Sequence, residues 1–337
     1  MVYGAIDLHA RTSQIRVVDG TGQVVREVRV STSAEALIGA FRDVGEVRIL
    51  LESSTESEWV TQALEGAGFT VIVADPNFAP MYGERHRKVK TDRRDAAVLA
   101  DANRRDCYHP AYRRSGAQRT MQQRLKARRL LVGARTGVIS ETRATLRQLG
   151  LRLGAGSSAD LARRLTRLSL PPAVARVLAS LARVVTTLTQ EIAALEAECE
   201  TAAAGDPVVT RLQTVPGVGP VVAWTFRAFI DDVGRFGHAG QVSAAIGLVP
   251  REDSSGERRH RGHITKAGPS ELRSLLVQAA WACSHSRRSG PLRRWREAVA
   301  HRRGPRVAIV ALARRLSRIL YAVWRDGTDF SVAALAA

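Results

Sequence analysis

The chain has 337 residues, of which 45% are apolar, and this length allows two domains with separate hydrophobic cores. Its formal net charge of +19 predicts a polyanionic partner. We expect a soluble, cytoplasmic protein with no membrane partner, because no apolar stretch approaches roughly 20 residues, no signal-peptide pattern opens the chain, and the three cysteines are too scattered for disulfides or a zinc knuckle.

The charge is unevenly distributed along the chain. Residues 1–75 contain 6 Lys and Arg against 11 Asp and Glu, which leaves 45 against 21 for residues 76–337. An acidic site and a basic nucleic-acid surface therefore lie in different parts of the sequence. Because aromatic residues make up only 5%, we expect contacts with the phosphate backbone rather than extensive base stacking.

The first 75 residues predict a mixed α/β domain. Short β-type runs at 2–8, 13–18 and 24–30 are separated by turn signals, including the pairs Asp19-Gly20 and Thr21-Gly22. A helix at 34–42, a strand at 47–51, a helix at 56–67 and a strand at 71–74 follow. A three-strand antiparallel meander followed by alternating β and α units is the element order of a ribonuclease-H-like fold.

Four acidic residues within the first 95 positions predict a metal-dependent phosphodiester chemistry. Asp7 and Glu52 each end a predicted strand, so neighbouring strands would present them at one sheet edge. Asp92 and Asp95 are three residues apart at the start of a helix predicted over 91–104, which places them on one face. Such a pocket suits Mg²⁺, with Mn²⁺ as an alternative ion. The competing interpretation is a set of solvated strand-end and helix-start charges.

Beyond about residue 115 the sequence predicts long, arginine-rich helices. An apolar stripe at three- and four-residue steps favours a coiled coil or a helical hairpin, and the core of a bundle and a dimer seam both remain open. Breaks near residues 153 and 205 bound the region. The stripe consists of Val174, Val177, Leu178, Leu181, Val184, Val185, Leu188, Ile192 and Leu195.

The last third contains two segments suited to phosphate. The turn Pro216-Gly217-Val218-Gly219 resembles a helix-hairpin-helix element, in which Gly217 and Gly219 free backbone N–H groups for phosphate, the alternative being a tightly packed turn. An exposed loop around Ser254, Ser255 and Gly256 is followed by cations and then by a helix over 269–283, although serine beside glycine is usually only a turn residue. The cations are Arg258, Arg259, Arg261 and Lys266.

Two further features belong to this segment. His260 and His263 suggest a metal pair, but with no third ligand evident a solvated loop or a phosphate contact is the better interpretation. A final helix over 306–325 is predicted to pack through one face and to present a basic outer face. The packing residues are Val307, Val310, Ile319, Leu320 and Val323, and the outer ones are Arg314, Arg315 and Arg318.

Five segments, taken in order, resemble the DEDD transposases of the insertion-sequence-110 family. They are AIDLH at 5–9, LES at 51–53, KTDRRDA at 90–96, VPGVGP at 215–220 and GLVPREDSSGERRHRGHITKAG at 247–268. The resemblance implies a RuvC-like domain at 1–110, a helical coiled-coil connection at 111–206 and a mainly helical transposase domain with a nucleophilic serine at 207–337.

The resemblance also implies site residues and partners. Asp7, Glu52, Asp92 and Asp95 take the DEDD places as metal ligands, and Ser255 takes the place of the nucleophile because it directly precedes the glycine, with Ser254 one residue away. Dimers that pair into tetramers would bind a structured bridge RNA and join donor and target DNA at the bacterial nucleoid. A RuvC-like junction nuclease that uses metal-activated water, and an inactive nucleic-acid-binding remnant, are the competing functions.

Overall fold

The computed structural model describes residues 1–83, 91–252 and 261–331. They divide into an α/β unit, Met1–Arg113, and a mostly helical unit, Arg114–Ala337. The division of the chain into 1–110, 111–206 and 207–337 stays a prediction.

The described residues of the α/β unit form a five-stranded sheet with helices against it. The strands are β1 (Val2–Asp7), β2 (Thr12–Val18), β3 (Val24–Ser31), β4 (Val47–Glu52) and β5 (Thr70–Ala74), and the helices are α1 (Ala34–Phe41), α2 (Ser57–Gly66) and α3 (Asp92–Arg104). The strand order is β3-β2-β1-β4-β5; the β1-β2 and β2-β3 pairs are antiparallel, and the β1-β4 and β4-β5 pairs are parallel. The predicted meander and the alternating units that follow it are confirmed.

The sheet is buried on both faces because its central strands are apolar at successive positions. Ile6 and Leu51 pack in the core cluster that includes helix α1. Ala5 and Leu50, one position earlier on the same strands, pack in the cluster that includes Leu99 of α3. Side chains alternate between the two faces of a strand, so Asp7 and Glu52 lie on the face that α3 covers.

The helical unit begins with two long helices that pack against each other. Its elements are α4 (Gly116–Gln148), α5 (Leu161–Leu165), α6 (Pro172–Ala203), α7 (Pro207–Leu212), α8 (Pro220–Ile230), α9 (Ala239–Ile246), β6 (Pro250–Glu252), β7 (Arg261–Ile264), α10 (Ser270–His285), α11 (Gly290–Arg303) and α12 (Pro305–Asp326). The helices predicted over 269–283 and 306–325 are confirmed as α10 and α12, with ends shifted by one or two residues.

Three of the nine residues of the predicted apolar stripe on α6, Leu178, Val185 and Ile192, are buried. Leu178 and Val185 share a core cluster with Leu146 of α4. Val177 and Val184 lie on the other side of the stripe and are 56% and 46% exposed. Among the described residues, α6 is also the single helix long and apolar enough to cross a membrane, which by itself is weak evidence for a membrane protein.

The remaining helices enclose the largest core cluster of the chain's described part, which includes Phe226 of α8, Leu276 of α10 and Leu312 of α12. One packing prediction for α12 is wrong: Val307 is 50% exposed, because it lies on the outer side of the first turn, whereas the next residues, Ala308 and Ile309, are buried.

Candidate metal centre

The first two predicted acids end neighbouring parallel strands. Ile6 of β1 pairs with Leu51 of β4, so Asp7 and Glu52, the next residues on each strand, come side by side at the carboxyl edge of the sheet. Because both lie on the face that α3 covers, the two carboxylates are directed toward that helix.

Helix α3 places the other two acids at the same edge. Thr91 caps its N-terminus by accepting a hydrogen bond from the backbone N–H of Arg94. Asp92 and Asp95 occupy the first turn, where the helix dipole favours negative charge. The C-terminal end of α3 is held against the first half of β1, away from the acids. The side-chain amide of Asn103 donates to the carbonyl of Gly4 in β1, at 2.8 Å. The helix therefore runs antiparallel to β1, with its acidic first turn beside Asp7.

The electrostatics of Asp7 show that the four carboxylates form one group. Burial raises the pKa of Asp7 most, His9 lowers it, and Asp95, Asp92 and Glu52 each raise it further. Only 17% of the Asp7 side chain and 7% of Asp95 are exposed to solvent. Mutual repulsion among half-buried carboxylates is relieved by a cation, as in sites for divalent metal ions.

One oxygen atom in the group has no hydrogen bond. Oδ2 of Asp7 is buried and accepts none from any described residue. It forms an ion-pair contact with Nε2 of His9 at 3.2 Å, and the same nitrogen lies 3.6 Å from Oδ1 of Asp92. One ligand atom from each of these three residues lies within 4.8 Å of the other two, a spacing that can hold a metal ion.

Three residues around the acids were not singled out by the sequence. His9 follows Asp7 by two positions within the AIDLH segment, and that proximity was its only signal. The hydroxyl of Tyr82 donates to Oε1 of Glu52 at 2.6 Å, and Nη2 of Arg29 lies 3.6 Å from Oδ2 of Asp92. Tyr82 and Arg29 are distant in sequence from their partners, so no local pattern points to them.

The candidate nucleophile lies outside the described residues, as do Ser254, Gly256, Arg258, Arg259 and His260. Strands β6 and β7, which flank residues 253–260, pair in an antiparallel ladder from Pro250 opposite Ile264 to Glu252 opposite Arg261. Arg261 thus begins β7, and its side chain is not among the described parts. Ser255 and the arginines remain predictions.

The base of this β6-β7 ladder is tightly fixed. Gly247 has a φ of +76°, and a Cβ added there would lie 2.2 Å from the carbonyl oxygen of Ala267. Gly268 has a φ of +70° and is in similarly close contact with α9. Nη1 of Arg273 donates to the same Ala267 carbonyl at 2.7 Å. Between these contacts Lys266 has a φ of +58°, unusual for a residue with a side chain, and it is exposed.

The two glycines of the predicted phosphate turn differ. Gly217 has a φ of +84°, and a Cβ there would lie 2.3 Å from the carbonyl oxygen of Ala279 and 2.5 Å from the backbone nitrogen of Cys283, both in α10. The tight-packing alternative thus accounts for Gly217. Gly219 is the N-cap of α8, and none of the described atoms lies within 4 Å of a Cβ added there. Phosphate binding by either glycine stays a prediction.

Helix α12 presents the predicted arginines to a surface groove of about 740 Å³. Arg314, Arg315 and Arg318 line it together with Arg325. The guanidinium of Arg315 stacks over Trp295 of α11 at 4.8 Å from the ring centroid. Asp326, which forms an ion pair with Arg325 at 2.7 Å, and Asp329 also line the groove. The arginines outnumber these acids by four to two, so the groove suits a polyanion.

Comparison with known proteins gives matches over both units. Residues 5–150 match a DEDD family model described as "Transposase", and residues 209–296 match one described as "Transposase IS116/IS110/IS902 family". A "Probable family 20 transposase" of Pseudomonas aeruginosa is 30% identical over 328 residues, which cover 94% of this chain and 95% of that protein.

Two further relatives are named for insertion sequences. The "Transposase for insertion sequence element IS1111A" of Coxiella burnetii is 29% identical, over 94% of this chain and 88% of its own length. The "Transposase for insertion sequence element IS1328" of Yersinia enterocolitica is 28% identical, over 84% and 85%.

Proposed function

Because the chain belongs to the IS110 family of transposases, enzymes that recombine DNA, we propose that it cuts and rejoins donor and target DNA through a serine-linked intermediate at a DEDD metal centre. The observation that carries this proposal is the convergence of Asp7, Glu52, Asp92 and Asp95 at one sheet edge. The strand order β3-β2-β1-β4-β5, with β1 and β4 parallel, supports a ribonuclease-H/RuvC-like identity for the α/β unit.

The donor set fits a divalent cation. Four carboxylates supply the oxygen ligands that Mg²⁺ prefers, and the buried Oδ2 of Asp7 lacks the hydrogen bond that a purely structural acid would have. Asp7, Glu52, Asp92 and Asp95 would hold the ion. When bound, such an ion stabilises negative charge on the phosphate and on the attacking and leaving oxygens.

Ser255 is the proposed nucleophile. A bond forms between its Oγ and the scissile phosphorus, and one phosphate–sugar ester bond of the DNA breaks; the serine hydroxyl gives up its proton, and the released sugar oxygen takes one up. The phosphoserine ester conserves the bond energy, so a sugar hydroxyl of another strand can later displace Oγ and join the strands.

Cations beside the serine would stabilise charge on the phosphate. Arg258, Arg259, Arg261 and Lys266 are the candidates. The constrained backbone at Lys266, between two glycines that pack closely at the base of the β6-β7 ladder, supports a fixed backbone position from which its exposed side chain extends. Since the acids belong to the α/β unit and the serine to the helical unit by sequence, we propose a composite site, with different subunits able to supply the two parts.

We further propose that a structured bridge RNA specifies the DNA. If base pairing reads the sequence, the protein needs mainly phosphate contacts, and the chain's charge of +19, its 5% aromatic content and the arginine groove of α12 agree with that need. Sequencing of RNA that copurifies from cells carrying the gene with its native flanks tests this. One species encoded by the flank is expected, and recovery of only bulk cellular RNA would contradict it.

The exposed stripe of α6 supports a homo-oligomer, a dimer that pairs to a tetramer. Val177 and Val184 extend the stripe beyond the part that α4 covers. A second copy of the chain fits this face better than nucleic acid does, since the stripe is apolar. Val184→Glu should lower the mass measured by light scattering, whereas Gln190→Glu, on another side of α6, should not; an unchanged mass in Val184→Glu would contradict the seam.

Covalent capture of DNA tests the serine. Protein recovered under denaturing conditions from cells with the native flanking DNA should carry attached DNA in the wild type and not in Ser255→Ala. Ser254→Ala is the matched control and should retain the adduct. An adduct that survives in Ser255→Ala but disappears in Ser254→Ala would move the nucleophile by one residue.

A second comparison tests the acids. Asp92→Asn should abolish DNA cleavage and leave DNA binding intact. Asp101→Asn is the matched control: Asp101 lies on the same helix but forms an ion pair with Arg104, and this variant should still cleave DNA. DNA breaks that depend on Asp92 without any covalent adduct would favour a water-using RuvC-like nuclease. Binding without breaks or adducts in the wild type would indicate an inactive remnant.

A further inference from the structure

His9 contacts two of the four DEDD acids, although it is not one of them. Its Nε2 contacts Oδ2 of Asp7 at 3.2 Å and Oδ1 of Asp92 at 3.6 Å. These are carboxylates from two different elements, the end of β1 and the start of α3. A single imidazole nitrogen thus bridges the two sides of the site.

Thr32, the residue that follows β3, holds the backbone of His9 and of the turn after it. The hydroxyl of Thr32 donates to the carbonyl oxygen of His9 at 2.7 Å, and the same hydroxyl is hydrogen-bonded to Ser13 at 2.7 Å. The backbone N–H of Thr32 donates to the carbonyl of Arg11, at 3.0 Å. The turn that carries the imidazole is therefore anchored at two carbonyls, which directs the ring toward the acids.

The spacing of the three atoms suits coordination. Ligands at right angles around an ion at about 2.1 Å lie about 3 Å apart, and opposite ligands lie about 4.2 Å apart. The observed contacts of 3.2 and 3.6 Å, with all three ligand atoms within 4.8 Å of one another, match a shared ion after small adjustments. Histidine is the commonest metal ligand in proteins.

We propose that His9 is a nitrogen ligand of the DEDD metal centre and shifts its preference from Mg²⁺ toward a transition-metal ion such as Mn²⁺. This inference rests on the proposed function, since it needs a metal at Asp7 and Asp92. Mg²⁺ is a hard cation that takes oxygen ligands, whereas imidazole is a ligand of first-row transition metals. One nitrogen among carboxylates therefore favours the transition metal over Mg²⁺.

A different role for His9 would be a charge partner that only orients the two acids. Arg29, whose Nη2 lies 3.6 Å from Oδ2 of Asp92, can act only as a charge partner of this kind. Its guanidinium has no lone pair to offer a metal ion. The two roles of His9 differ in one observable, a nitrogen bonded to the ion. His9→Gln separates them, since the amide can still donate to a carboxylate but offers a metal only oxygen.

The test uses the full chain in the absence of DNA, and Mn²⁺ is the probe ion. Electron spin echo envelope modulation of the bound ion should show coupling to a directly bonded ¹⁴N in the wild type and in His109→Gln, an exposed histidine of the same unit, and lose it in His9→Gln. Mn²⁺ titrations with Mg²⁺ competition should show the Mn²⁺-over-Mg²⁺ preference falling about 10-fold or more in His9→Gln, as even outer partners of a metal cost about 10–100-fold.

The outcomes separate the two proposals. Saturable Mn²⁺ binding that Asp7→Asn abolishes, but without nitrogen coupling or with coupling that persists in His9→Gln, overturns the role of His9 and leaves the acid site standing. An unchanged ion preference in His9→Gln overturns it as well. Absence of any Mn²⁺ binding that depends on Asp7 overturns the metal centre and with it the inference.

Discussion

Gly217 and Gly219, two residues apart in one turn, should lose very different amounts of stability on the same substitution to alanine. Gly217→Ala places a Cβ 2.3 Å from the carbonyl oxygen of Ala279 and 2.5 Å from the backbone nitrogen of Cys283. Backbone atoms of a helix cannot move aside as a flexible side chain can. Gly217 also has a φ of +84°, which an alanine rarely adopts.

The magnitude follows from these two terms. A left-handed backbone costs alanine about 1–2 kcal/mol, and an extra methyl group in a packed interior costs about 1–3 kcal/mol. The free energy of unfolding of the helical unit should therefore fall by about 2–5 kcal/mol. For a unit of this size, about 2–4 °C is lost per kcal/mol, so the melting temperature should drop by about 4–20 °C.

Gly219→Ala is the matched control. Its φ of −95° is open to alanine, and none of the described atoms would meet the new Cβ. A loss below about 1 kcal/mol is expected, since alanine is only a poorer N-cap than glycine. Thermal unfolding of the full chain, followed by circular dichroism at 222 nm, measures both variants. A Gly217→Ala variant that melts within about 2 °C of the wild type, or a Gly219→Ala variant that loses as much, would refute the packing argument.

Two further substitutions test the supports of the site, and a third tests a buried acid of α10. Asn103→Ala should lower the free energy of unfolding by about 2–4 kcal/mol in urea, because it removes buried hydrogen bonds, including the one to the Gly4 carbonyl; an unchanged midpoint would contradict this. Tyr82→Phe removes the donor to Glu52 and should weaken Mn²⁺ binding about 10-fold with little effect on unfolding, and equal affinities would count against the contact. Burial raises the pKa of Glu271, so its ionised form is less favoured in the folded state. Glu271→Gln should therefore stabilise the fold at pH 7, and the gain should vanish as the pH falls through the raised pKa to below the ordinary value of 4.5; a gain that grows toward low pH would show the opposite sign.

Local sequence patterns predicted most of the secondary structure of the α/β unit. Apolar alternation and turn residues predicted its strands, and two acids at strand ends could be expected at one edge because parallel neighbours end together. The contacts that complete the site join residues far apart in sequence. Asn103 reaches Gly4 across 99 residues, and Tyr82 reaches Glu52 across 30.

Ambiguities in the helical unit had a different cause. A glycine that frees an N–H group and a glycine that admits a neighbouring helix have the same sequence signal, so Gly217 could be assigned only once α10 was located beside it. The exposed and buried residues of the α6 stripe likewise belong to one periodic pattern. Only the position of α4 distinguishes Val184 from Val185.

The exposed valines of that stripe have a consequence for how activity depends on the amount of protein in a cell. If a second copy covers Val177 and Val184, the amount of paired protein follows the square of the free chain's concentration while pairing is weak, so halving the supply leaves about a quarter of the pairs. Formation of tetramers from such pairs would steepen the response again. A modest drop in translation would then lower the rate of DNA rearrangement more than proportionately, without any dedicated repressor.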